Sequence, residues 1–142
     1  MKKIAITGSM GMLGQTLVKN LKGFELIPLT IENCDITQGC EVEKAFVQFR
    51  PDVVIHCAAM TAVDLCESKQ FDAWKINAFG TINVARAANL IGAKLISIST
   101  DYVFDGALDR PYHEYDQPNG GINIYANSKW AAEQAVRSHC PN

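Results

Sequence analysis

Residues 3–14 read KIAITGSMGMLG, and this stretch decides how the rest of the chain is interpreted. The run from Lys3 to Thr7 is short and rich in apolar and β-branched residues, which predicts a strand. Three glycines follow at positions 8, 11 and 14, and the helical spacing of the leucines after them predicts a helix over 11–22. A strand, a glycine-rich loop and a helix in this order are typical of a dinucleotide site.

The three glycines suit a loop that holds phosphate. Because they lack side chains, Gly8, Gly11 and Gly14 permit a tight turn and let the backbone approach a pyrophosphate closely. The free N–H groups at the start of the following helix favour negative charge. The alternative is a turn that only packs the helix on the strand. The loop follows a strand and opens a helix, so we favour cofactor binding.

The rest of the chain continues to alternate strand and helix. Apolar runs predict strands at 25–29, 53–57 and 94–98, and the last two have the composition of buried strands. We also expect a short strand at 33–35 that runs into a turn. Helical spacing predicts helices at 40–49, at 64–90 with a bend near 77–80, and at 125–138. The connection over 101–124 is long enough to indicate a functional loop. This order predicts one α/β domain with a Rossmann-like, doubly wound, mostly parallel sheet and helices on both faces.

The composition narrows the classes of partner. The chain has 142 residues, of which 48% are hydrophobic and 20% charged, and its formal net charge is -2. Lysine and arginine are scattered, so we expect no nucleic-acid partner, and no apolar run is long enough for a membrane span. Five cysteines without a Cys-x-x-Cys pair indicate free thiols in the cytoplasm. Cys34 and Cys40 lack a second cluster, so we expect no metal site.

A tyrosine and a lysine stand one helical turn apart, at Tyr125 and Lys129. A free phenol is a poor acid at neutral pH, but a nearby ammonium group stabilises the phenolate and lowers the phenol pKa. Lys129 could also reach the ribose of a nicotinamide. Thr100 follows a predicted strand, where it could donate a hydrogen bond to a substrate carbonyl, and Asn77 could complete a water-linked proton path to Lys129. A surface pair, a strand-end threonine and a helix-bending asparagine are the alternatives.

The sequence leaves the choice between NAD and NADP open. A carboxylate at the end of the second strand would bind the ribose 2′-hydroxyl, but Thr30 stands there and Glu32 comes late. No arginine or lysine stands at that turn to hold a 2′-phosphate. Asp35 and Ile36 could flank the adenine, or Asp35 could only cap a turn beside Thr37.

These residues together resemble the extended short-chain dehydrogenase/reductase family, and within it the dTDP-4-dehydrorhamnose reductases. The resemblance covers nearly the whole chain. The stretches that carry it are RPDVVI at 50–55, AAMTAVD at 58–64, STDYVFDG at 99–106, and YANSK at 125–129 with Glu133.

The resemblance implies a set of roles. Thr100, Tyr125 and Lys129 would be the catalytic triad, and Val63 and Tyr102 would touch a nucleotide-sugar substrate. NADPH or NADH would supply hydride to the 4-keto group of dTDP-4-dehydrorhamnose, giving dTDP-L-rhamnose. The residues implied to line the cofactor, beside the glycine loop and the Tyr/Lys pair, are Met12, Leu13, Asp35, Ile36, Ala58, Ala59 and Thr61. Some members form a dimer with Mg²⁺ at the contact, but we find no clear carboxylate set for Mg²⁺ here.

The chain departs from the family pattern in three places. Ala126 follows the tyrosine where glycine is usual, and Gly120-Gly121 stands where a proline is common. Family members run to roughly twice this length, as expected for a cofactor domain with a second domain. We therefore expect residues 1–142 to be the NAD(P)-binding domain with the catalytic residues, as a fragment or partial chain without its substrate domain.

Two other functions remain open. One is a nucleotide-sugar epimerase or dehydratase of the same superfamily, although Asp101-Tyr102 does not supply the Asp-Glu pair expected of a dehydratase. The other is a regulatory subunit resembling that of methionine adenosyltransferase, which binds the dinucleotide without reducing a sugar.

Overall fold

The computed structural model describes residues 1–141, in which four strands form one parallel sheet. The strands are β1 (Lys3–Thr7), β2 (Glu25–Leu29), β3 (Val53–His56) and β4 (Lys94–Ser97), in the order β2-β1-β3-β4. The α-helices are α1 (Met12–Asn20), α2 (Gly39–Phe49), α3 (Val63–Ser68), α4 (Gln70–Ala73), α5 (Thr81–Ile91) and α6 (Ile124–His139). A π-helix, Trp74–Gly80, joins α4 to α5, and a 3-10 turn, Asp101–Val103, follows β4.

The strand order explains how the helices cover the sheet. The chain moves from β1 to β2 in one direction and then through β3 to β4 in the other. With right-handed crossovers, α1 lies on one face, and α2 and α5 lie on the opposite face. Ala5, Val54 and Leu95 stand side by side on three strands and pack in the core with Phe46 of α2 and Val84 of α5. The predicted α/β fold with helices on both faces is thus confirmed.

Residues 33–35, predicted as a strand, form part of a turn instead. The Thr30 N–H donates to the Asn33 side-chain oxygen at 2.8 Å, and the Cys34 N–H donates to the Thr30 carbonyl at 2.9 Å. Local hydrogen bonds of this kind compete with strand pairing. The prediction of a third strand here was wrong for that reason.

The strand predicted at 94–98 is buried on only one of its faces. β4 stands at the edge of the sheet, and α5 and α6 pack against the face that carries Leu95. Ile96, on the opposite face, is 42% exposed. The prediction of a fully buried strand therefore does not hold for β4.

The helical stretch at 64–90 is irregular, as the sequence predicts. It breaks first at Lys69, and the π-helix includes the whole of the predicted bend at 77–80. Gly92 ends α5 in the left-handed conformation, with φ +70°. The wider turns of the π-helix place Asn77 and Ala78 in the interior.

A histidine lies at the centre of the buried polar groups. The Thr81 hydroxyl donates to the Asn77 carbonyl at 2.6 Å, so it accepts from His56 Nε2–H at 3.0 Å. His56 Nδ1 is then the acceptor for the Thr7 hydroxyl, at 2.7 Å. Burial, together with the positive charge of Lys129, lowers the pKa of His56 to about 3.

We expect His56 to stay neutral, with its proton on Nε2, from pH 8 down to pH 5. Long-range ¹H–¹⁵N NMR spectra of the imidazole groups measure both properties, with exposed His113 as the comparison signal. The folded pKa lies below the unfolded value near 6.5, so this group's contribution to stability is complete above pH 6.5 and is lost as pH falls. Its loss between pH 6.5 and 5 is about 2 kcal/mol of unfolding free energy. A His56 ring that protonates near pH 6 would contradict the assignment.

Candidate active site

The glycine loop, residues 8–14, lies directly against the end of β3. Gly8 turns the chain with φ +65°, and its carbonyl accepts the Gly11 N–H at 2.9 Å. A Cβ atom on Gly8 would lie 2.6 Å from the Ala58 nitrogen, and one on Gly14 would collide with the Gly8 carbonyl oxygen. Both positions therefore need glycine for close backbone packing, and the start of α1 stays open to a ligand.

Two cavities meet over the glycine loop, at the carboxyl ends of the strands. One has a volume of about 470 Å³ and extends towards the end of β2. The other has a volume of about 240 Å³ and extends towards α6. Gly8, Gly11, Cys57 and Ala59 line both, so the two form one continuous trough. A trough across the strand ends at the point where the strand order reverses is where doubly wound sheets bind ligands.

All the residues predicted to hold a cofactor line this trough. They are Gly8, Gly11, Met12, Leu13, Gly14, Asp35, Ile36, Ala58, Ala59, Thr61, Tyr125 and Lys129. They come from four separate segments of the chain, which the fold brings together. Their contact with a bound dinucleotide stays a prediction.

Asp35 takes part in a turn and also lines the larger cavity. Its carboxylate accepts the Thr37 N–H at 2.9 Å, and its own N–H donates to Glu41 at 3.2 Å. Asp35 therefore caps the turn beside Thr37, which is one of the two roles that the sequence allowed. A carboxylate has further acceptor positions, so capping is compatible with a contact to an adenine amino group.

Tyr125 and Lys129 line the smaller cavity together, at the first turns of α6. The Asn123 side chain caps this helix by accepting the Ala126 N–H at 2.8 Å. Tyr125 is 8% exposed and Lys129 is 6% exposed. The Lys129 ammonium group donates to the Ile98 carbonyl, just past β4, at 2.6 Å. The pair predicted from the sequence therefore converges on one cavity that opens onto the glycine loop.

Burial and nearby negative charge act on the pKa of Lys129 in opposite directions. Burial lowers the pKa of the Lys129 ammonium group, and the negative charge of Glu133 on the next helical turn raises it. A Cys57 thiolate would act in the same direction as Glu133. The charge of Lys129 thus depends on acidic groups close to it.

Thr100 lies in a neighbouring cavity rather than in the one that Tyr125 lines. Its hydroxyl accepts the Tyr102 N–H at 3.3 Å and donates to Asp101 at 3.3 Å. Thr100 lines a cavity of about 770 Å³ beside the end of β4, and Ser99 lines both this cavity and that of Tyr125. The catalytic role of Thr100 stays a prediction, and the residue before it, Ser99, is the one of the two that also lines the Tyr125 cavity.

The amide group of Asn77 is held at three points. Its oxygen accepts the Met60 N–H at 2.8 Å, and its nitrogen donates to the Met60 carbonyl at 3.1 Å and to the Ser128 hydroxyl at 3.0 Å. Asn77 thus reaches α6 one residue before Lys129. Its place in a water-linked proton path stays a prediction.

The two predicted substrate residues both lie beside Tyr125. The Tyr102 ring meets the Tyr125 ring edge to face, with 5.7 Å between centroids, and Tyr102 is 47% exposed. Val63 packs in the small apolar cluster that contains Tyr125 and Cys66. Their contact with a sugar nucleotide stays a prediction.

Some cavity residues were not predicted from the sequence. Cys57 and Ile98 follow β3 and β4 directly, so the rule that ligands bind at strand ends could have found them. Lys75 and Ile76 reach the larger cavity from the π-helix, whose path a regular helical spacing does not reveal. Lys75 gives that cavity a positive charge.

In residues 1–141, no three His, Cys, Asp or Glu side chains come together as a group that could hold a metal ion. Among the helices in that range, none has both the length and the apolar character that a membrane span requires.

Comparison with known proteins was consistent with this geometry. The family model described as RmlD substrate binding domain matches residues 1–142. The dTDP-4-dehydrorhamnose reductase of Mycolicibacterium smegmatis is 46% identical over 145 residues, covering 99% of this chain and 43% of that protein. The crystal structure of dTDP-4-dehydrorhamnose reductase from Bacillus anthracis in complex with NADP superimposes with a TM-score of 0.95 at 43% identity, covering 99% of this chain and 51% of that one.

A relative with a different name also matches. Methionine adenosyltransferase 2 subunit beta of Bos taurus is 35% identical over 144 residues, covering 95% of this chain and 42% of that protein. The chain therefore spans about half the length of the curated relatives it matches.

We expect the substitution Gly14→Ala to destabilise the fold, although alanine normally stabilises a helix relative to glycine. The new methyl group would overlap the Gly8 carbonyl oxygen, and such overpacking costs about 1–3 kcal/mol. Urea unfolding of the two proteins, followed by circular dichroism, measures the difference.

Gly23→Ala is the matched control, because its methyl group meets no atom within 4 Å and adds only the strain of φ +79°. Gly14→Ala should also weaken NADPH binding, whereas Gly23→Ala should leave it unchanged. An unfolding free energy for Gly14→Ala equal to or above that of the wild type would show that the loop is not packed as described.

Proposed function

Because this chain belongs to the family described as the RmlD substrate binding domain, we propose that it forms the NAD(P)H-binding and proton-donating part of a dTDP-4-dehydrorhamnose reductase. The observation that carries the proposal is the convergence of buried Tyr125 and Lys129 on a cavity lined by the glycine loop. The reductases that match across nearly the whole chain support the same activity.

The trough fits a dinucleotide. A side chain at Gly8 would collide with the backbone just past β3, and one at Gly14 would collide with the backbone of the loop itself. Glycine at both positions keeps the loop tight, and the backbone at the start of α1 would then be close enough to bind phosphate oxygens. Asp35 and Ile36 would hold the adenine end, while Tyr125 and Lys129 would hold the nicotinamide end. When bound, NADPH or NADH supplies hydride to C4 of the substrate.

Tyr125 would give the accompanying proton to the substrate's 4-keto oxygen. The Lys129 ammonium group would anchor the nicotinamide ribose, and its positive charge would favour the phenolate that remains after the proton has left. Thr100 would polarise the carbonyl by a hydrogen bond, once its own contact with Asp101 opens. Asn77 would hold α6 and join a water-linked path that returns a proton to the pair.

The substrate would be a dTDP-linked 4-keto sugar, reduced to dTDP-L-rhamnose. We place it beside Tyr102 and Val63, because both lie next to Tyr125. An aromatic ring that is half exposed, such as that of Tyr102, is well suited to pack on a sugar or base.

We further propose that residues 1–142 are the cofactor domain, and that the substrate domain is not part of this chain. The open edge of β4 and the exposed Ile96 and Ile98 beside it support this arrangement. A cytoplasmic location and a homodimer follow from the family resemblance and belong to the same proposal. No metal ion is needed for the proton and hydride steps as proposed.

The cofactor preference would lean towards NADP. The matched Bacillus anthracis reductase is described in complex with NADP, and Lys75 places a positive charge in the larger cavity. No acidic side chain stands at the end of β2 to bind a ribose 2′-hydroxyl, because the chain there reads Leu29-Thr30-Ile31.

A second candidate function is that of a dinucleotide-binding regulatory subunit. The observation that favours it is the position of Thr100, whose hydroxyl is bonded to Asp101 and lines a different cavity from Tyr125. The match to methionine adenosyltransferase 2 subunit beta fits this candidate. Bound NADPH without any sugar reduction would favour it.

We expect residues 1–142 alone to oxidise little NADPH in the presence of dTDP-4-dehydrorhamnose, because the substrate side of the cavity is open. A chimaera that joins them to the second half of the Bacillus anthracis reductase should restore oxidation, measured as the loss of absorbance at 340 nm. In that chimaera, Tyr125→Phe should lower kcat by about 10²-fold or more, the usual range for loss of a general acid.

Tyr102→Phe is the control in the chimaera, because it keeps the aromatic contact with Tyr125 and removes only a neighbouring hydroxyl. It should change kcat by much less than Tyr125→Phe. Substantial oxidation by residues 1–142 alone, or full activity of Tyr125→Phe, would refute the assignment.

A further inference from the structure

The carboxyl end of β4 is held to α6 by two side chains one helical turn apart. Lys129 donates to the Ile98 carbonyl at 2.6 Å. Glu133 accepts a short hydrogen bond from the hydroxyl of the next residue, Ser99. Ile98 itself donates its N–H to the His56 carbonyl at 3.3 Å, so this point is also joined to β3.

We propose that Glu133 is a positioning residue that fixes the end of β4 on α6 and holds Lys129 in its bond to the Ile98 carbonyl. This inference rests on the proposed function, in which the Lys129 ammonium group serves Tyr125. Ser99 lines both the Tyr125 cavity and the cavity beside it, so holding Ser99 also fixes the backbone that borders the two.

From its position, the Glu133 carboxylate both binds the Ser99 hydroxyl and acts on the charge of Lys129. One carboxylate oxygen receives the Ser99 hydroxyl, and the other lies 3.8 Å from Arg137 on the exposed side of α6. Because Glu133 stands four residues after Lys129, its charge also faces the ammonium group. The carboxylate raises the pKa of Lys129 and opposes the lowering by burial.

Other ionisable groups surround this pair, and the experiment must separate them from Glu133. Lys129 faces Tyr125 on its own helix and the ends of β3 and β4. The charged and titratable residues that face Lys129 or line the cavity beside Glu133 are His56, Cys57, Asp101, Glu114, Tyr115, Asp116, Tyr125 and Arg137. None of them is altered when Glu133 alone is replaced.

The test is the titration of Lys129 in the 142-residue chain, followed by NMR of ¹³C-labelled lysine side chains and assigned with Lys129→Arg. In Glu133→Gln the amide oxygen can still accept from Ser99, so the end of β4 should keep its protection from hydrogen exchange. The Lys129 titration should move to lower pH, because the opposing negative charge is gone. Arg137→Gln leaves the Glu133 carboxylate in place, so it should not move the Lys129 titration to lower pH.

Two more variants separate the hydrogen bond from the charge. Ser99→Ala should speed amide exchange at Ile98 and Thr100 and leave most of the effect of the Glu133 charge intact. Glu133→Ala should show both changes. A Lys129 titration that is the same in wild type, Glu133→Gln and Glu133→Ala would overturn the inference, because a purely structural Glu133 would not act on that charge.

The result of the Lys129 titration does not depend on whether the chimaera reduces the sugar. The NMR titration needs no substrate, so a shifted Lys129 titration in a protein whose chimaera reduces no sugar would refute the reductase assignment and leave the positioning role in place. An active chimaera in which the Lys129 titration does not move would support the reductase assignment and would overturn the positioning role of Glu133. In the active chimaera, Glu133→Gln should also move the alkaline limb of the kcat profile to lower pH.

Discussion

A chain of buried hydrogen bonds runs from β1 to α6, and the geometry of the site depends on it. Thr7 bonds to His56, His56 to Thr81, and Thr81 to the backbone of Asn77, whose side chain bonds to Ser128. A buried polar group that loses its partner costs about 1–3 kcal/mol, so each member fixes the next. The chain begins at the residue before the glycine loop and ends between the tyrosine and lysine of α6. One network therefore joins the glycine loop to the Tyr125/Lys129 pair.

The π-helix is the element that makes this network possible. Its backbone accepts from Thr81, while the Asn77 amide reaches both Met60 and Ser128. Widened helical turns of this kind are found frequently at functional sites, because they redirect one side chain without ending the helix. Here the redirected side chain is Asn77. Neutral His56 is a further requirement, since a second positive charge in this interior would oppose that of Lys129.

Much of the fold could be predicted from the sequence, because apolar periodicity and glycine spacing fix the order of strands and helices. The same patterns place the glycine loop and the Tyr/Lys pair at one edge of the sheet. The turn at 33–35 could not be predicted, since a side-chain hydrogen bond from Asn33 decides it. The position of Lys75 in the larger cavity could not be predicted either, because it depends on the path of the π-helix. Ser99 and Thr100 are neighbours at a strand end, where successive side chains point to opposite sides, so sequence alone does not say which one faces the cavity.

The two sides of the candidate site differ in how complete they are. Towards the cofactor, the glycine loop, the end of β3 and α6 enclose the trough within residues 1–141. Towards the substrate, Ser99 and Thr100 open onto a cavity of about 770 Å³ beside the free edge of β4, where Ile98 is 38% exposed. Burial of Lys129 is useful for proton transfer only if water is also kept from the substrate side. The groups that hold the Tyr/Lys pair thus belong to this domain, whereas under the proposed function exclusion of water from the substrate would come from whatever covers the edge of β4.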